Sequence, residues 1–333
     1  MRVLSLFDGI SCGQVALNRA GINYDTYYAS EIDKFAKQVT QQNYPRTFQL
    51  GDINNWKNWG FDFGSIDLIF AGFPCQAWSV AGKQKGDNDP RGALVHTLID
   101  IWKEVKKKNP NVKFLFENVR MKKDFIVYIN ELFNVEPIEI NSALVSAQNR
   151  KRLYWTNIPN VTQPKDKGIV LKEVISWSRS TRYPKDGPKY VEFRFNKNGK
   201  SNTLTTGWGC GSFSSKNLIF LHGLEEGRRL DDGKSFSRNF REGARIYSID
   251  GKSATLTAKT KGGKGGYSGL YGEAKKGKII ARQLTPNECE KLQTLPENYT
   301  EQLSDTQRYK AIGNGWTVDV IVHILKCGVK NNV

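Results

Sequence analysis

Long apolar runs are missing from this sequence, and so are clustered cysteines and histidines. No apolar stretch approaches the roughly 18 residues of a membrane helix, and the opening apolar stretch, residues 1–7, is too short for a signal peptide. The five cysteines are odd in number and scattered, which argues against a disulfide scaffold and a cysteine-rich zinc site. His96, His222 and His323 have no ligand spacing. We therefore expect no membrane segment, no metal, and reduced thiols in a cytosol or nucleus.

Positive charge is concentrated in one part of the chain. The net charge is +17, and residues 161–280 hold 24 Lys and Arg against 11 Asp and Glu, together with 18 of the 31 glycines. Aromatic residues are interspersed among these charges. Such a composition is typical of a loop-rich surface that binds a polyanion. A Lys-rich surface that is merely solvated is the alternative, and we favour nucleic acid.

The first half alternates short apolar runs with amphipathic segments. This alternation predicts an α/β fold, with a parallel sheet covered by helices on both faces. In such a sheet, ligands bind at the carboxyl ends of the strands. The strands are predicted at residues 3–7, 27–30, 66–70 and 114–116, and the helices at residues 14–20, 32–43, 93–108 and 122–133. The polar residues predicted at the strand ends are Asp8, Glu31, Asp52, Cys75 and Glu117.

The alternation stops in the basic segment, which contains an internal repeat. Residues 198–205 and 250–257 share a turn, a basic residue and a Thr-Leu-Thr run, which predicts two similar hairpin edges. Helical sequence returns near Thr285, which forms a capping-box pattern with Glu288. Residues 314–326 predict a last helix that returns to the core.

A glycine-containing loop, residues 7–13, joins the first predicted strand to the first predicted helix. It lacks the G-x-G-x-x-G pattern, which argues against a Rossmann oxidoreductase because a pyrophosphate has no evident cradle. Glu31 follows about 20 residues later, where a carboxylate accepts hydrogen bonds from ribose hydroxyls. Asp52 is suited to an adenine amino group. A nucleoside cofactor without a pyrophosphate indicates S-adenosylmethionine, and ordinary loop glycines with surface carboxylates are the alternative.

Candidate catalytic residues follow two of the predicted strands. Cys75, in the tetrad Phe-Pro-Cys-Gln, lies where a nucleophile belongs, although a lone cysteine is more simply a small buried residue. Glu117 ends another strand, so we expect its carboxylate beside the Cys75 loop and able to hold a proton. If the segment from Gln148 is a strand, its period of two places Arg150 and Arg152 on the same face as Gln148.

Five motifs, in this order, resemble the cytosine-5 DNA methyltransferase family. They are Phe-x-Gly near the start, Pro-Cys-Gln, Glu-Asn-Val, Gln-x-Arg-x-Arg and a late Gly-Asn-Gly-Trp, and the match covers about residues 3–157 and 280–325. The opening and closing motifs are similar to those of the animal de novo branch, whereas Gln76 follows the cysteine as in bacterial and phage enzymes. The resemblance implies a Rossmann-like methyltransferase sheet, S-adenosylmethionine as cofactor and cytosine in double-stranded DNA as substrate.

The resemblance also implies residue roles. Cys75 adds to C6 of a flipped-out cytosine, Glu117 contacts N3 and Arg152 contacts the base carbonyl, while Arg150 positions the site. Residues 77–91 form a mobile loop that closes over DNA, with a plain surface linker as the alternative. The implied cofactor residues are Phe7, Asp8, Gly9, Ile10, Gly13, Glu31, Ile32, Asp52, Ile53, Pro74, Asn314 and Trp316.

In the family, target recognition lies between the Gln-x-Arg-x-Arg and Asn-Gly motifs. We therefore predict a catalytic and cofactor-binding domain at residues 1–160, a target-recognition domain at residues 161–280, and a segment at residues 281–333 that returns to the catalytic domain. The predicted DNA contacts are Gln76, Ser79, Lys83, Arg91, Lys200, Thr205, Arg238, Arg241, Lys252 and Thr257, with Arg245 as a further candidate for reading a base.

Two other functions stay open from the sequence. Methylation of a structured RNA uses the same cofactor and cysteine chemistry, although a basic insertion of this size favours duplex DNA. A silent DNA-binding module is the other, and the intact Cys75, Glu117 and Arg152 argue against it. We expect a monomer in the cytoplasm of a bacterial or phage-infected cell, or in the nucleus if the source is eukaryotic. Restriction-modification is the expected context, and a solitary or phage enzyme is the alternative.

Overall fold

The chain is described here by a computed structural model. The structure describes residues 1–74, 93–175, 190–195, 201–203, 219–221, 224–225, 228–229, 245–256, 270–275 and 278–329. The chain divides into two compact units. Unit 1 comprises Met1–Asn141, Lys151–Lys165 and Gly315–Val333, and unit 2 comprises Ser142–Arg150 and Asp166–Asn314.

These units do not coincide with the predicted domains. Residues 142–150 and 281–314 belong to unit 2, whereas residues 161–165 belong to unit 1. The assignment of target recognition to residues 161–280 stays a prediction, because the division into units does not identify a DNA contact.

Unit 1 contains a seven-stranded sheet in the order β3-β2-β1-β4-β5-β7-β6. Each predicted strand of the first half is present within two residues at either end. The strands are β1 (Arg2–Leu6), β2 (Thr26–Ser30), β3 (Phe48–Gln49), β4 (Leu68–Gly72), β5 (Lys113–Asn118), β6 (Ile138–Asn141) and β7 (Lys151–Thr156).

The sheet is not wholly parallel. The pairs from β3 across to β5 are parallel, but β7 runs antiparallel to both β5 and β6. The connection between β6 and β7 is short and returns the chain beside β6, so β7 runs antiparallel to it. The strand also begins at Lys151, so the expectation that Gln148 and Arg150 share a strand face with Arg152 is wrong.

Five helices of unit 1 are α1 (Cys12–Ala20), α2 (Lys34–Asn43), α3 (Ala93–Lys108), α4 (Lys123–Phe133) and α8 (Val318–Val329). The α2 helix begins after Asp33, whose carboxylate accepts a hydrogen bond from the Phe35 backbone N–H and so caps the helix. The α1 helix ends at Gly21, which has a φ of 74° and closes the last turn. Helices α1 and α8 pack together, and Arg19 pairs with Asp319 across them at 2.6 Å.

Apolar strands and aromatic side chains form the core of unit 1. Val3 and Leu4, which are successive residues of β1, are both fully buried, because a sheet covered on both faces buries successive residues rather than alternate ones. The rings of Phe133 and Trp155 pack 6.0 Å apart, between centroids, in the same cluster as Leu4. This core fixes the strand ends that carry the polar residues.

Unit 2 contains a six-stranded sheet in the order β10-β13-β14-β15-β8-β9 and a two-stranded ribbon, β11-β12. Its strands are β8 (Tyr190–Phe195), β9 (Ser201–Thr203), β10 (Ile219–Leu221), β11 (Leu224–Glu225), β12 (Arg228–Arg229), β13 (Arg245–Ser248), β14 (Leu270–Lys275) and β15 (Lys278–Arg282). Its helices are α5 (Leu171–Val174), α6 (Pro286–Leu292) and α7 (Asp305–Asn314).

The predicted capping box at Thr285 is confirmed. Thr285 and the Glu288 side chain satisfy each other's backbone N–H groups at the start of α6. The Glu288 carboxylate also pairs with Arg282 at 2.7 Å, and both side chains are buried. The repeat differs from the prediction, because its first copy contributes β9 whereas its second copy makes a single bridge between Ser253 and Gln148.

No helix in the described part of the chain is long and apolar enough to cross a membrane. Among the same residues, no group of three or more His, Cys, Asp or Glu is arranged to hold a metal ion.

Candidate active site

A carboxylate at the end of β5 is held from two sides. Glu117 is largely buried. Its Oε1 forms an ion pair with the Arg152 Nε at 2.9 Å, and its Oε2 accepts a hydrogen bond from the Trp316 indole N–H at 3.2 Å. The antiparallel β7 places Arg152 beside β5, so this strand direction creates the pair. The arrangement presents an oriented carboxylate and a guanidinium at the carboxyl end of the sheet.

The chain entering the predicted nucleophile loop is anchored from the same strand end. Asn118 is buried and its amide donates to the Phe73 carbonyl at 3.2 Å. The Phe73 ring packs on Phe133 and Trp155, with centroids 6.1 and 6.2 Å away. No role was predicted for Asn118 from the sequence, although its position in the Glu-Asn-Val motif indicated that it has one. Pro74 is the last described residue before the loop.

The predicted nucleophile lies outside the described residues, and so do most of the predicted DNA contacts. Their roles therefore stay predictions. The residues concerned are Cys75, Gln76, Ser79, Lys83, Arg91, Lys200, Thr205, Arg238, Arg241 and Thr257.

The loop after β1 is tightly shaped around Asp8. Phe7 and Gly9 have φ values of 56° and 60°. The Asp8 carboxylate accepts hydrogen bonds from the Ser11 hydroxyl and, at 2.8 Å, from the Tyr27 hydroxyl. Loss of hydration on burial raises the pKa of Asp8 to about 6, against the opposing effect of these hydrogen bonds. Asp8 thus shapes the loop, and its direct contact with a cofactor stays a prediction.

Gly13, near the start of α1, lies so close to side chains of the sheet that there is no room for a Cβ atom. A Cβ at this position would lie 2.7 Å from the Tyr27 hydroxyl oxygen and 2.8 Å from a ring carbon of Phe70. Gly13 therefore allows α1 to pack directly on the sheet, which is a structural reason for the glycine predicted to bind the cofactor. Ile10, in the loop before α1, is also buried.

Glu31 ties the ends of two strands together. Its Oε2 accepts a hydrogen bond from the Gly9 N–H at 2.8 Å, and its Oε1 accepts from the backbone of Ile32 and Asp33 at 2.8 and 2.7 Å. Each carboxylate oxygen accepts two hydrogen bonds, so Oε2 retains capacity for one more. The carboxylate is thus oriented by the backbone and can still accept a hydroxyl.

Two further residues follow β2 and its neighbouring strand β3: Ile32, which has an exposed apolar side chain, and Asp52, which supplies a second carboxylate. Ile32 follows Glu31 directly and is 73% exposed. Asp52 follows the neighbouring strand β3, where one oxygen accepts a hydrogen bond from the Asn54 N–H at 2.9 Å and so caps the short 3-10 helix Ile53–Asn58. Within the described part of the chain, the other oxygen of Asp52 accepts none. Ile53 itself is buried.

Arg150 lies in the interior of unit 2. Its two terminal nitrogens donate to the carbonyls of Leu256 and Gly313 at 2.8 and 3.3 Å. The neighbouring Gln148 accepts the Leu256 N–H at 2.9 Å and is fully buried. These bonds hold unit 2 together, and any effect of Arg150 on the reacting base stays a prediction. Asn314 also belongs to unit 2 and ends α7.

Lys252, predicted to contact a phosphate, has its ammonium group turned into unit 2. Its Nζ donates to the carbonyls of Ala143, Ser146 and Ile169, at 2.6, 3.4 and 2.8 Å. An ammonium has three donors, and each of these carbonyls lies within reach of one. The structure therefore lends no support to a phosphate contact by Lys252 and indicates a bridge between three segments.

Comparisons with known proteins agree with this architecture. Residues 1–329 match the family described as C-5 cytosine-specific DNA methylase. The chain is 30% identical over 309 residues to the orphan methyltransferase M.Rho11sI of Bacillus phage rho11s, covering 81% of this chain and 60% of the phage protein. It is 28% identical over 334 residues to the type II methyltransferase M.HhaI of Haemophilus parahaemolyticus, covering 97% and 93% of the two chains.

Solved structures support the fold class. A mutant of DNMT2 from Spodoptera frugiperda is similar with a TM-score of 0.60 at 19% identity, covering 98% of this chain and 99% of that one. At this identity the likeness concerns the fold alone. Together with the largely parallel sheet of unit 1, it confirms the predicted Rossmann-like methyltransferase fold.

Proposed function

This chain belongs to the C-5 cytosine-specific DNA methylase family, and from that premise we propose that Cys75 and Glu117 activate a flipped-out cytosine in double-stranded DNA. Membership makes the chain an enzyme, a DNA cytosine-5 methyltransferase. The residue roles, the cofactor contacts and the DNA contacts are the content of the proposal.

The observation that carries the proposal is the Glu117 carboxylate held between Arg152 and Trp316. Cytosine C5 is a weak nucleophile, so the ring needs an added electron pair before it attacks a methyl group. The Cys75 thiolate forms a bond to C6, and the displaced electron pair moves through the ring while Glu117 donates a hydrogen bond or proton at N3. Once C5 has used this electron pair to take the methyl group that the bound cofactor would supply, loss of the C5 proton to water re-forms the C5–C6 double bond and expels the Cys75 thiolate. Any proton given to N3 then returns to Glu117.

The residues at the ends of β1, β2 and β3 fit S-adenosylmethionine. Glu31 Oε2 has room for a ribose hydroxyl, Ile32 offers an exposed apolar surface for an adenine ring, and Asp52 offers a carboxylate oxygen for the adenine amino group. When bound, the cofactor supplies the methyl group. The backbone hydrogen bonds to Glu31 hold that carboxylate in place before any ligand arrives.

We further propose that the basic segment, residues 161–280, is the target-recognition region and contacts duplex DNA. We also propose that the enzyme acts as a monomer. The similar proteins named above come from a bacterium and a bacteriophage, which supports action in the cytoplasm of a bacterial or phage-infected cell. The phage relative is named an orphan enzyme and the bacterial one a type II enzyme, so both a solitary role and a restriction-modification role have a precedent.

Covalent trapping tests the proposal. Random-sequence DNA duplexes containing 5-fluorocytosine are incubated with enzyme and S-adenosylmethionine, and the linked peptide is identified by mass spectrometry. Fluorine cannot leave C5 as a proton, so elimination stalls and the bond between Cys75 and C6 persists. We expect the adduct at Cys75, and none with Cys75→Ala.

The other cysteines and an RNA pool provide the controls. Cys12 and Cys289 are buried, and burial raises the pKa of the Cys289 thiol well above its usual range. An adduct at a cysteine other than Cys75 would refute the assigned nucleophile. Adducts with structured RNA and none with duplex DNA would refute the substrate.

A further inference from the structure

Trp316 contacts the Glu117 carboxylate directly. The indole N–H donates to Glu117 Oε2 at 3.2 Å, while Arg152 occupies Oε1 at 2.9 Å. The two donors thus approach different oxygens of one carboxylate. The indole ring is fixed in turn by Phe70, which meets it edge-on with centroids 5.8 Å apart and planes at 84°.

Gly72 provides the space that the indole occupies. Gly72 lies opposite Glu117 in the parallel register of β4 and β5, so the two positions face the same side of the sheet. A Cβ at position 72 would lie 2.9 Å from the Trp316 Nε1 and 3.4 Å from two neighbouring ring carbons. Any side chain at position 72 therefore displaces the nitrogen that makes the hydrogen bond.

We propose that Trp316 is a positioning residue for Glu117, and that Gly72 is required because it admits the indole. The inference rests on the proposed function, since it assigns Trp316 a task through the carboxylate that faces cytosine N3. The terminal torsion of a glutamate side chain is broad. A single donor leaves the carboxylate able to rotate, whereas donors on both oxygens fix its plane before the base arrives.

This role differs from the cofactor contact predicted for Trp316. A cofactor contact would use the aromatic ring, which phenylalanine retains, whereas the hydrogen bond to Glu117 uses the indole N–H, which phenylalanine lacks. Trp316→Phe therefore separates the two roles. Trp102→Phe is the control, because Trp102 is a tryptophan in the core of unit 1 and its N–H has no hydrogen-bond partner in the described part of the chain.

The test compares methyl transfer in single turnovers on a pool of random-sequence duplexes, together with S-adenosylmethionine affinity and thermal unfolding. Since the hydrogen bond that holds the Glu117 side chain is lost, we expect Trp316→Phe to slow methyl transfer roughly tenfold with cofactor affinity and melting temperature unchanged. Trp102→Phe should leave the rate unchanged. A rate equal to that of the unaltered enzyme, or a loss confined to cofactor affinity, would overturn the inference.

Gly72→Ala gives an independent arm. It should slow methyl transfer in the unaltered enzyme, but have little further effect in the Trp316→Phe background, because the nitrogen it displaces is already gone. Equal losses in both backgrounds would overturn the link between the two residues. Glu117→Gln keeps the proposed function separate: if it retains full activity, the role of Glu117 fails, whereas if it is impaired and Trp316→Phe is not, the positioning role alone fails.

Discussion

In unit 1, Arg152 pairs with the Glu117 carboxylate and also donates to the Lys151 carbonyl, whereas in unit 2, Arg150 and Lys252 donate to backbone carbonyls. Arg150 and Arg152 are two residues apart and belong to one motif, yet they have different partners. A guanidinium beside a carboxylate at a strand end is available for a substrate. Arg150 and Lys252 each connect separate segments of unit 2 through these carbonyls, while their predicted roles in catalysis and DNA binding stay predictions.

The largest expected effect is on activity, in unit 1. Arg152→Ala removes one of the two groups that orient Glu117 and the proposed contact to the base carbonyl, so methyl transfer should fall about a hundredfold or more. Steady-state kinetics on duplex DNA measures it. Arg19→Ala is the control, since Arg19 pairs with Asp319 on the surface of unit 1 and its loss should leave the rate unchanged. Full activity in Arg152→Ala would refute a catalytic role for Arg152 and with it the contrast between Arg152 and Arg150.

The next effect is on stability, in unit 2. Arg150→Met leaves the buried carbonyls of Leu256 and Gly313 without their donor, so the free energy of unfolding should fall by about 3 kcal/mol. Urea unfolding followed by intrinsic fluorescence measures the change. A variant of unchanged stability that had lost activity would show that Arg150 acts on the substrate, and the contrast with Arg152 would disappear.

A smaller effect separates two lysines of the repeat. Lys252→Met should lower the free energy of unfolding by about 1–2 kcal/mol and leave the salt dependence of DNA affinity unchanged, because its ammonium is bound by carbonyls. If Lys200 contacts a phosphate, Lys200→Met should reduce the slope of log affinity against log salt by roughly 0.9. Binding titrations at several salt concentrations compare the two. An equal reduction in both variants would restore the phosphate role of Lys252.

The smallest effect concerns Asp8. Its folded-state pKa of about 6 lies above the ordinary value of 3.8, so between these values the folded state holds a proton that the unfolded state has lost. Stability should therefore fall as the pH rises from about 4 to 6. Asp8→Asn should flatten this part of the profile, measured by urea unfolding at each pH. An unchanged slope in the variant would assign the pH dependence to another group.

Much of unit 1 could be predicted because its signals are local. Apolar runs with intervening amphipathic segments predicted β1, β2, β4 and β5 and the helices between them. In unit 2, the Thr285 cap likewise followed from four adjacent residues. The direction of β7 could not be predicted in the same way, because it depends on where the chain goes between β6 and β7. That direction decides which residues stand beside Glu117.

Contacts between distant residues were the least predictable. Trp316 was expected to bind the cofactor, but its hydrogen bond to Glu117 spans 199 residues and leaves no local pattern. Lys252 was predicted to contact DNA from the charge, the glycine content and the repeat of its segment, and none of these reveals which carbonyls lie within reach of an ammonium group. Gly72 carried no special signal either, because only the position of the indole shows why a side chain is excluded there.

Unit 1 is assembled from three separate stretches of the chain, and this affects when it is finished during synthesis. The ribosome makes the strands that carry Glu117 and Arg152 first, then the whole of residues 166–314, and only afterwards Trp316 and α8. A nascent chain that has not reached Gly315 lacks both the helix that packs on α1 and the second donor to Glu117. Translation order thus delays the complete arrangement around Glu117 until unit 2 has been made.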